Sequence, residues 1–196
     1  MSGWQTPPSS RELPGHGPFN SDPDTDSLFN FNVTLDVPLD EADLEVGVTV
    51  FLTQDNHADL AVVAQPKADG AEGTDRFLRF RATGNNAPEE YLAKVPETWD
   101  GDLIQLEIST PNATHYNYTL AAYSAAEPEH KIVMAIVSAK LVSGQSGPYT
   151  GALLGVYATC NGAGTGLKCP SGGDVYVTEW MYTGKGQYYT ADDLRP

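Results

Sequence analysis

The chain has 196 residues and a formal net charge of −15, with 26 acidic against 11 basic side chains. This length favours one domain, and no apolar run approaches the roughly 18 residues that a transmembrane helix needs. The acidic balance and the lack of a basic cluster disfavour nucleic acids, anionic membranes and acidic polysaccharides as partners, whereas neutral partners remain open.

The first predicted elements are a tail and a strand. Residues 1–27 are rich in Pro, Ser, Gly and Asp without periodicity, which indicates an irregular N-terminal tail. Apolar residues such as Phe29, Phe31 and Val33 then alternate with polar ones, a pattern that predicts a half-buried strand.

Similar alternating runs continue along the chain, and turn residues separate them. The runs occupy 45–53, 58–64, 76–82, 103–109, 115–121, 131–138, 150–159 and 174–183. The one helical candidate is a turn around 88–93. Nine short strands without intervening helices predict an all-β protein with two packed antiparallel sheets.

The two cysteines, Cys160 and Cys169, flank a Gly-rich segment. Their spacing is too wide for a Cys-x-x-Cys redox or zinc pair, and no histidine lies between them. Because a Gly-rich loop can bring two Cβ atoms to about 4 Å, we predict a disulfide.

Three acceptor sequences for N-glycosylation occur, at Asn32, Asn112 and Asn117. Asn32 and Asn117 lie on the polar phase of their predicted strands, where a glycan would fit. With the cysteine pair, these acceptors predict a secreted glycoprotein. Residues 1–20 show no apolar signal-peptide core, so a leader has been removed or the chain is a fragment of a longer one.

Common catalytic motifs are missing from the sequence: there is no nucleophile elbow, phosphate loop, zinc-protease motif or dinucleotide fingerprint. Asp22, Asp24 and Asp26 have the spacing that opens a calcium loop. The Gly that should follow is absent, and Val33 stands where a bidentate Glu belongs. We interpret this segment as a solvated acidic loop and predict no cofactor or metal ligand, with a structural calcium ion left open.

Glu107 and Glu179 are the carboxylates to weigh as a catalytic pair, because sandwich glycosidases hold two acids across a groove. Glu107 has no acidic neighbour in its strand, and Glu179 shares its predicted phase with Val177 and Met181. We therefore prefer to interpret both as exposed strand glutamates. A carboxylate separation of about 5–5.5 Å or 6.5–9.5 Å in an open groove would favour the catalytic alternative.

Tyr176, Trp180 and Tyr182 follow one another at period two, so the last strand is expected to carry one row of aromatic side chains. Such a row is either a platform on which sugar rings stack or a filling of the core between the sheets. His57, in the predicted hairpin 56–58, is interpreted as a turn residue more readily than as a ligand.

Three stretches of the chain resemble one known family. The first stretch consists of residues 47–54, His57 and residues 77–81. The second is 147–158 and the third is 177–184. All are similar to the C-terminal concanavalin A-like module of fungal glycoside hydrolase family 43 enzymes, the β-xylosidase and α-L-arabinofuranosidase group. The resemblance covers about 28–187 and leaves 188–196 as a C-terminal tail. It implies a jelly-roll sandwich that packs beside a five-bladed propeller, on which the catalytic acids lie.

The resemblance implies no catalytic residue in this chain, and it points to Gln54, His57 and Trp180 as candidate sugar contacts, to which we add Tyr182. The preferred function is a non-catalytic accessory module that binds or positions neutral glycans such as xylan or arabinan, with a propeller catalytic domain as the expected partner. One alternative is a stand-alone concanavalin A-like glycosidase or lyase that uses Glu107 and Glu179. Another is a structural or interaction domain that has lost its sugar site.

Overall fold

The computed structural model describes residues 27–37, 42–111, 116–142, 151–160, 175–190 and 193–195. The strands within these residues are β1 (Leu28–Asp36), β2 (Leu44–Thr53), β3 (Asn56–Pro66), β4 (Thr74–Thr83), β5 (Tyr91–Lys94), β6 (Ile104–Ser109), β7 (Asn117–Ser124), β8 (Ile132–Ser138), β9 (Leu153–Cys160), β10 (Tyr176–Thr190) and β11 (Asp193–Arg195). Short 3₁₀-helices follow β5 at Glu97–Trp99 and β8 at Ala139–Val142.

The strands form two antiparallel sheets, as predicted. The six-stranded sheet has the order β11-β10-β1-β6-β7-β8, and the five-stranded sheet has the order β5-β4-β3-β2-β9. Strand β11 pairs with the end of β10, where Gln187 lies opposite Arg195. In the described residues no helix is long and apolar enough to cross a membrane.

The core lies between the sheets and is filled by every second residue of their strands. On β1, Phe31, Val33 and Leu35 are buried, and they pack in one cluster with Leu60 of β3 and Leu106 of β6. This follows from strand geometry, because successive side chains point to opposite faces and the apolar ones leave water together.

Strand β1 is central in its sheet and not half-buried as predicted. It pairs with β10 on one side and β6 on the other, and its polar residues Asn32 and Thr34 are only 6% and 5% exposed. The prediction failed because long side chains from neighbouring strands cover this polar face. One of them, Tyr123, donates its hydroxyl hydrogen to Asn32 Oδ1 at 3.3 Å.

The helical turn predicted around 88–93 is also wrong. Residues 91–94 form β5, a short edge strand in which Leu92 lies opposite Arg79 of β4. The free edge of β4 offers backbone hydrogen bonds that a single isolated turn does not. At the other end of the chain, β10 and β11 extend into the residues that were predicted as the C-terminal tail.

Candidate functional site

The outer face of the six-stranded sheet carries a cluster of polar side chains. This polar cluster consists of Asn32, Thr34, Glu107, Tyr123, Lys131 and Glu179. The strand register assembles it, because Asn32 lies opposite Glu107 of β6 and Thr34 lies opposite Glu179 of β10. Residues directly opposite each other on paired strands point to the same face, so both glutamates face outward together.

Glu107 is buried within this cluster. It is 5% exposed, its Oε1 accepts a hydrogen bond from Ser109 Oγ at 3.0 Å, and its Oε2 forms an ion pair with Lys131 Nζ. The Lys131 ammonium also lies 4.9 Å from the ring centroid of Tyr123. The prediction of an exposed strand glutamate is therefore wrong for Glu107, because Ser109 of its own strand and Lys131, just before β8, occupy its two oxygens.

Tyr123 of β7 extends to Asn32 of β1, and the charges of both carboxylates act on its hydroxyl. It is 4% exposed, and burial together with the negative charges of Glu107 and Glu179 raises the pKa of Tyr123 to about 12. A phenolate at this position would be desolvated and would face two anions, which is why the neutral form is favoured. Tyr123 therefore acts as a neutral hydrogen-bond donor at physiological pH.

Glu179 is the exposed carboxylate of the cluster, and its Oε2 accepts a hydrogen bond from Thr34 Oγ1 at 3.3 Å. Strand β1 separates it from Glu107, which places their backbones roughly 10 Å apart across the sheet. An offset of two residues along β1 brings that distance to about 12 Å. The two carboxylates thus share a face, but a ligand can reach only Glu179 without displacing Lys131 or Ser109.

A β-bulge divides the aromatic row that was predicted on the last strand. The register of β1 against β10 shifts by one residue near the start of β10. Tyr176 consequently lies opposite Asp36 on the outer face, whereas Trp180 lies opposite Val33 on the inner face. The prediction that Tyr176, Trp180 and Tyr182 share one face is therefore wrong, and the same bulge separates Val177 from the phase of Glu179.

Trp180 and Tyr182 together form what we term the aromatic shelf, on the inner face of β10. Their exposed fractions are 50% and 47%. The Trp180 ring meets Phe31 edge-on at 5.0 Å between centroids, and the Tyr182 ring stacks on Phe29 at 5.7 Å. Each ring thus rests on a core phenylalanine and presents its remaining surface to solvent. The rings are therefore partly packed on the core and partly exposed, and sugar stacking on them stays a prediction.

Gln54 and His57 lie in the β2–β3 hairpin of the other sheet. Gln54 is exposed, whereas His57 is half-buried, with Nδ1 3.3 Å from the Thr53 carbonyl oxygen and Nε2 3.6 Å from Asp59 Oδ2. His57 lies opposite Phe51 on the outer face of the five-stranded sheet. Because the aromatic shelf is on the inner face of the six-stranded sheet, the structure does not bring the four predicted contacts into one site.

The outer face of the five-stranded sheet carries an arginine–carboxylate network that the sequence did not reveal. Glu45 is 2% exposed, and its carboxylate accepts hydrogen bonds from Arg79 Nη1 at 2.9 Å and from the Tyr157 hydroxyl at 2.7 Å. Arg81 Nη2 binds Asp59 Oδ2 at 3.0 Å. The alternating Arg79 and Arg81 were visible in the sequence, but their partners on β2, β3 and β9 were not.

The network is electrostatically matched, as its pKa shifts show. Burial, and then the charge of Glu45, raises the pKa of Tyr157. For Arg81, burial would lower the pKa, but the hydrogen bond to Asp59 and the charge of Glu45 raise it overall. Buried charges are tolerated when each has a partner, so this network holds four strands together and is not poised to react.

The glycan acceptors differ in their surroundings. Asn32 lies on the polar phase of β1 as predicted, but it is 6% exposed and accepts a hydrogen bond from Tyr123, so the prediction that a glycan fits there is wrong. Asn117 begins β7 and is half-buried, on the face opposite Tyr118. Asn112 lies outside the described residues.

The structure describes one of the two cysteines and none of the calcium-like loop. Cys160 ends β9, but Cys169 lies outside the described residues, so the disulfide stays a prediction. The acidic segment 22–26 is outside them as well. Within the described part of the chain, no group of three or more His, Cys, Asp and Glu side chains could hold a metal ion.

Several solved structures that are similar to this chain are described as GH43 proteins or as a xylosidase. The Bacteroides ovatus protein described as "Xyloglucan PUL GH43B" matches with a TM-score of 0.52 and 22% identity over 69% of this chain and 24% of its own. Xylan β-1,4-xylosidase from Bacillus halodurans C-125 matches with a TM-score of 0.51 and 13% identity over 70% of this chain and 25% of its own. The GH43 protein BlXynB from Bacillus licheniformis matches with a TM-score of 0.54 and 14% identity over 81% and 28%.

At these identities the solved structures establish the fold alone. The family model of the β-xylosidase C-terminal concanavalin A-like domain matches residues 25–169. The chain belongs to this family. The chain spans about a quarter of the length of the solved proteins that it matches.

The predicted concanavalin A-like sandwich and the β-xylosidase C-terminal domain family are thereby confirmed, whereas none of these comparisons supports the fungal origin. The matched residues end before β10, which carries the aromatic shelf and Glu179. Comparison with curated proteins finds no match for the domain.

Proposed function

We propose that this chain is a non-catalytic accessory module that binds or positions neutral plant glycans such as xylan or arabinan. The observation that carries the proposal is the aromatic shelf, in which Trp180 and Tyr182 are half-exposed and supported from behind by core phenylalanines. Because the apolar face of a sugar ring stacks on aromatic rings, a supported and accessible pair of rings suits such a ligand.

The affinity expected of the shelf alone is low. Stacking of one sugar on one ring is worth roughly 1–2 kcal/mol by analogy with other aromatic stacking. Two rings alone therefore give millimolar binding at best, and further hydrogen bonds must contribute. The net charge of −15 favours a neutral polysaccharide over an acidic one.

Titration calorimetry with xylo- and arabino-oligosaccharides tests the proposal. We expect saturable heat with the intact domain and its loss in Trp180→Ala, with folding checked by circular dichroism. Tyr176→Ala is the matched control, because it removes an exposed aromatic ring from the opposite face of the same strand. Absence of saturable heat with every oligosaccharide, or unchanged binding in Trp180→Ala, would refute the role of the shelf.

We further propose a propeller catalytic domain as the partner of this module. The support is that the chain spans only about a quarter of each solved relative named above. Sequencing the gene on both sides of the region that codes for this chain tests the proposal. A propeller-coding stretch in the same reading frame supports it, and stop codons on both sides contradict it.

The second candidate function is a stand-alone glycosidase or lyase that uses Glu107 and Glu179, and the shared outer face of these residues favours it. Against it, Ser109 and Lys131 occupy the oxygens of Glu107. We therefore expect the purified chain to release no sugar from xylan, arabinan or aryl glycosides. Turnover that survives purification and disappears in Glu107→Gln or Glu179→Gln would establish the enzyme instead.

We also propose that the protein is secreted and glycosylated. The support is the pair of acceptors Asn112 and Asn117 together with the cysteines Cys160 and Cys169. Treatment of the protein from its native source with an N-glycan-removing amidase should lower its mass. An unchanged mass and recovery of the protein only inside cells would overturn this proposal.

A further inference from the structure

A cavity of about 200 Å³ lies at one end of the sandwich, between the β4–β5 connection and the segment where β8 passes into the 3₁₀-helix Ala139–Val142. We refer to it as the rim groove. Its accessible walls are formed by Asn85, Asn86, Pro88, Ile136, Ser138 and Lys140. None of these residues belongs to the aromatic shelf or to the polar cluster.

The backbone on the first side of the groove is held in a defined turn. Asn86 has a φ of 58°, in the left-handed region, and Gly84 has a φ of 148°. The Ala87 amide donates a hydrogen bond to the Gly84 carbonyl oxygen at 3.3 Å and closes the turn. Left-handed backbone is unusual for residues other than glycine, although asparagine tolerates it better than most. The backbone at Asn85 and Asn86 is therefore held in one defined turn conformation.

The second side is fixed against the first. A Cβ atom on Gly84 would lie 2.7 Å from Leu141 Cδ1, which shows how closely the turn packs on the 3₁₀-helix. The Asn56 side chain of the neighbouring hairpin donates a hydrogen bond to the Leu141 carbonyl oxygen at 3.0 Å. Both walls are therefore positioned before any ligand arrives, which lowers the ordering cost of binding.

The groove offers unused hydrogen-bonding groups beside apolar surface. The carboxamides of Asn85 and Asn86 are exposed and form no hydrogen bond within the described residues. Each carboxamide has two donor hydrogens and one acceptor oxygen. Ile136 is 60% exposed, and Pro88 is exposed beside it. Exposed amides next to an apolar wall are suited to a ring that carries hydroxyl groups at its edge and C–H bonds on its faces.

We propose that the rim groove binds one ring of a neutral oligosaccharide through the Asn85 and Asn86 carboxamides, with the ring face on Ile136. A volume of about 200 Å³ equals that of about seven water molecules in the liquid, which suits one pentose or hexose ring and not several. Lys140 is the charged side chain among the residues that line the groove, and the net charge of −15 on the whole chain disfavours an anionic sugar. This inference rests on the proposed glycan-binding function and adds a site distinct from the aromatic shelf.

Nuclear magnetic resonance of the whole chain, titrated with xylotriose, tests the inference. We expect saturable shifts of the Asn85 and Asn86 side-chain amide signals. Asn85→Ala should weaken the affinity of this site for xylotriose about five- to tenfold, and so should Asn86→Gly, which removes the amide while keeping the left-handed turn. Gln65→Ala is the matched control, because it removes a carboxamide at the far end of β3 and should leave the affinity unchanged.

The outcomes separate this inference from the proposed function. If both asparagine variants bind xylotriose like the wild type while Trp180→Ala weakens binding, the groove is not a sugar site and the shelf remains one. If the wild type shows no saturable shift with xylotriose, the inference is overturned. Calorimetry with arabino-oligosaccharides then decides whether the shelf hypothesis survives.

Discussion

Replacement of Trp180 by alanine distinguishes two roles for this residue, an exposed ring that rests on Phe31 and a ring that the core requires. A tryptophan buries about 200 Å² when it is fully covered, so a ring that is 50% exposed has roughly 100 Å² to lose. At 25 cal/mol per Å² this amounts to about 2.5 kcal/mol, and loss of the edge-on contact with Phe31 adds about 1 kcal/mol. The free energy of unfolding should therefore fall by about 3.5 kcal/mol, which leaves a typical domain folded.

Urea unfolding at neutral pH, followed by circular dichroism, measures this change, and calorimetry on the same samples measures oligosaccharide binding. Tyr176→Ala is the matched control, since Tyr176 is 57% exposed and lies beyond the β-bulge on the opposite face. We expect that control to cost less stability and to leave binding intact.

Three results would refute this reasoning about Trp180. A variant that does not fold would show that the ring is a core residue. A loss of stability below about 0.5 kcal/mol, the size expected of an ordinary surface substitution, would show that the ring does not pack on Phe31. Equal losses of binding in Trp180→Ala and Tyr176→Ala would show that the two rings share one face and that the bulge is misplaced.

Three further predictions concern stability. Between pH 10 and 12 only the unfolded chain loses the Tyr123 proton, because the folded protein raises the pKa of Tyr123 to about 12. The free energy of unfolding should therefore fall with rising pH by up to about 2.7 kcal/mol. Urea unfolding of the Tyr123→Phe variant should lack this part of the decline. Gly47→Ala should lower the free energy of unfolding by about 1–3 kcal/mol in the same assay, because the added Cβ would lie 2.4 Å from the Leu60 carbonyl oxygen. Gly155→Ala should lower it less, because the nearest atom to the added Cβ lies at 3.8 Å. A disulfide between Cys160 and Cys169 should contribute roughly 2.5 kcal/mol, and two alkylated thiols in protein from an oxidising compartment would contradict it.

The polar cluster shows why an acid pair cannot be judged from strand phase alone. The predicted phase did place Glu107 and Glu179 on strands, and the register of β1 puts them on the same face. What decides their chemistry is Lys131, which neutralises one carboxylate and leaves the other open. Lys131 precedes β8, and nothing in the sequence near Glu107 identifies it as the partner.

Alternation of apolar and polar residues was sufficient to predict most of the strands and the sandwich. The period of two depends only on the geometry of a single strand, so it is readable without knowing the neighbours. The predicted runs therefore overlap β1–β4 and β6–β10. The sequence missed β5 and β11 because each has only four or three residues, too few to show a period.

Only the tertiary structure decided which residues share a surface. Asn32 is buried because Tyr123, 91 residues away, reaches it from β7. Trp180 and Tyr176 face opposite ways because one bulge in β10 inverts the side chains on either side of it. The groove beside Asn86 exists because a turn after β4 packs on Leu141. Strand order, register and bulges arise from contacts between distant segments, and the local sequence pattern that predicts a strand does not contain them.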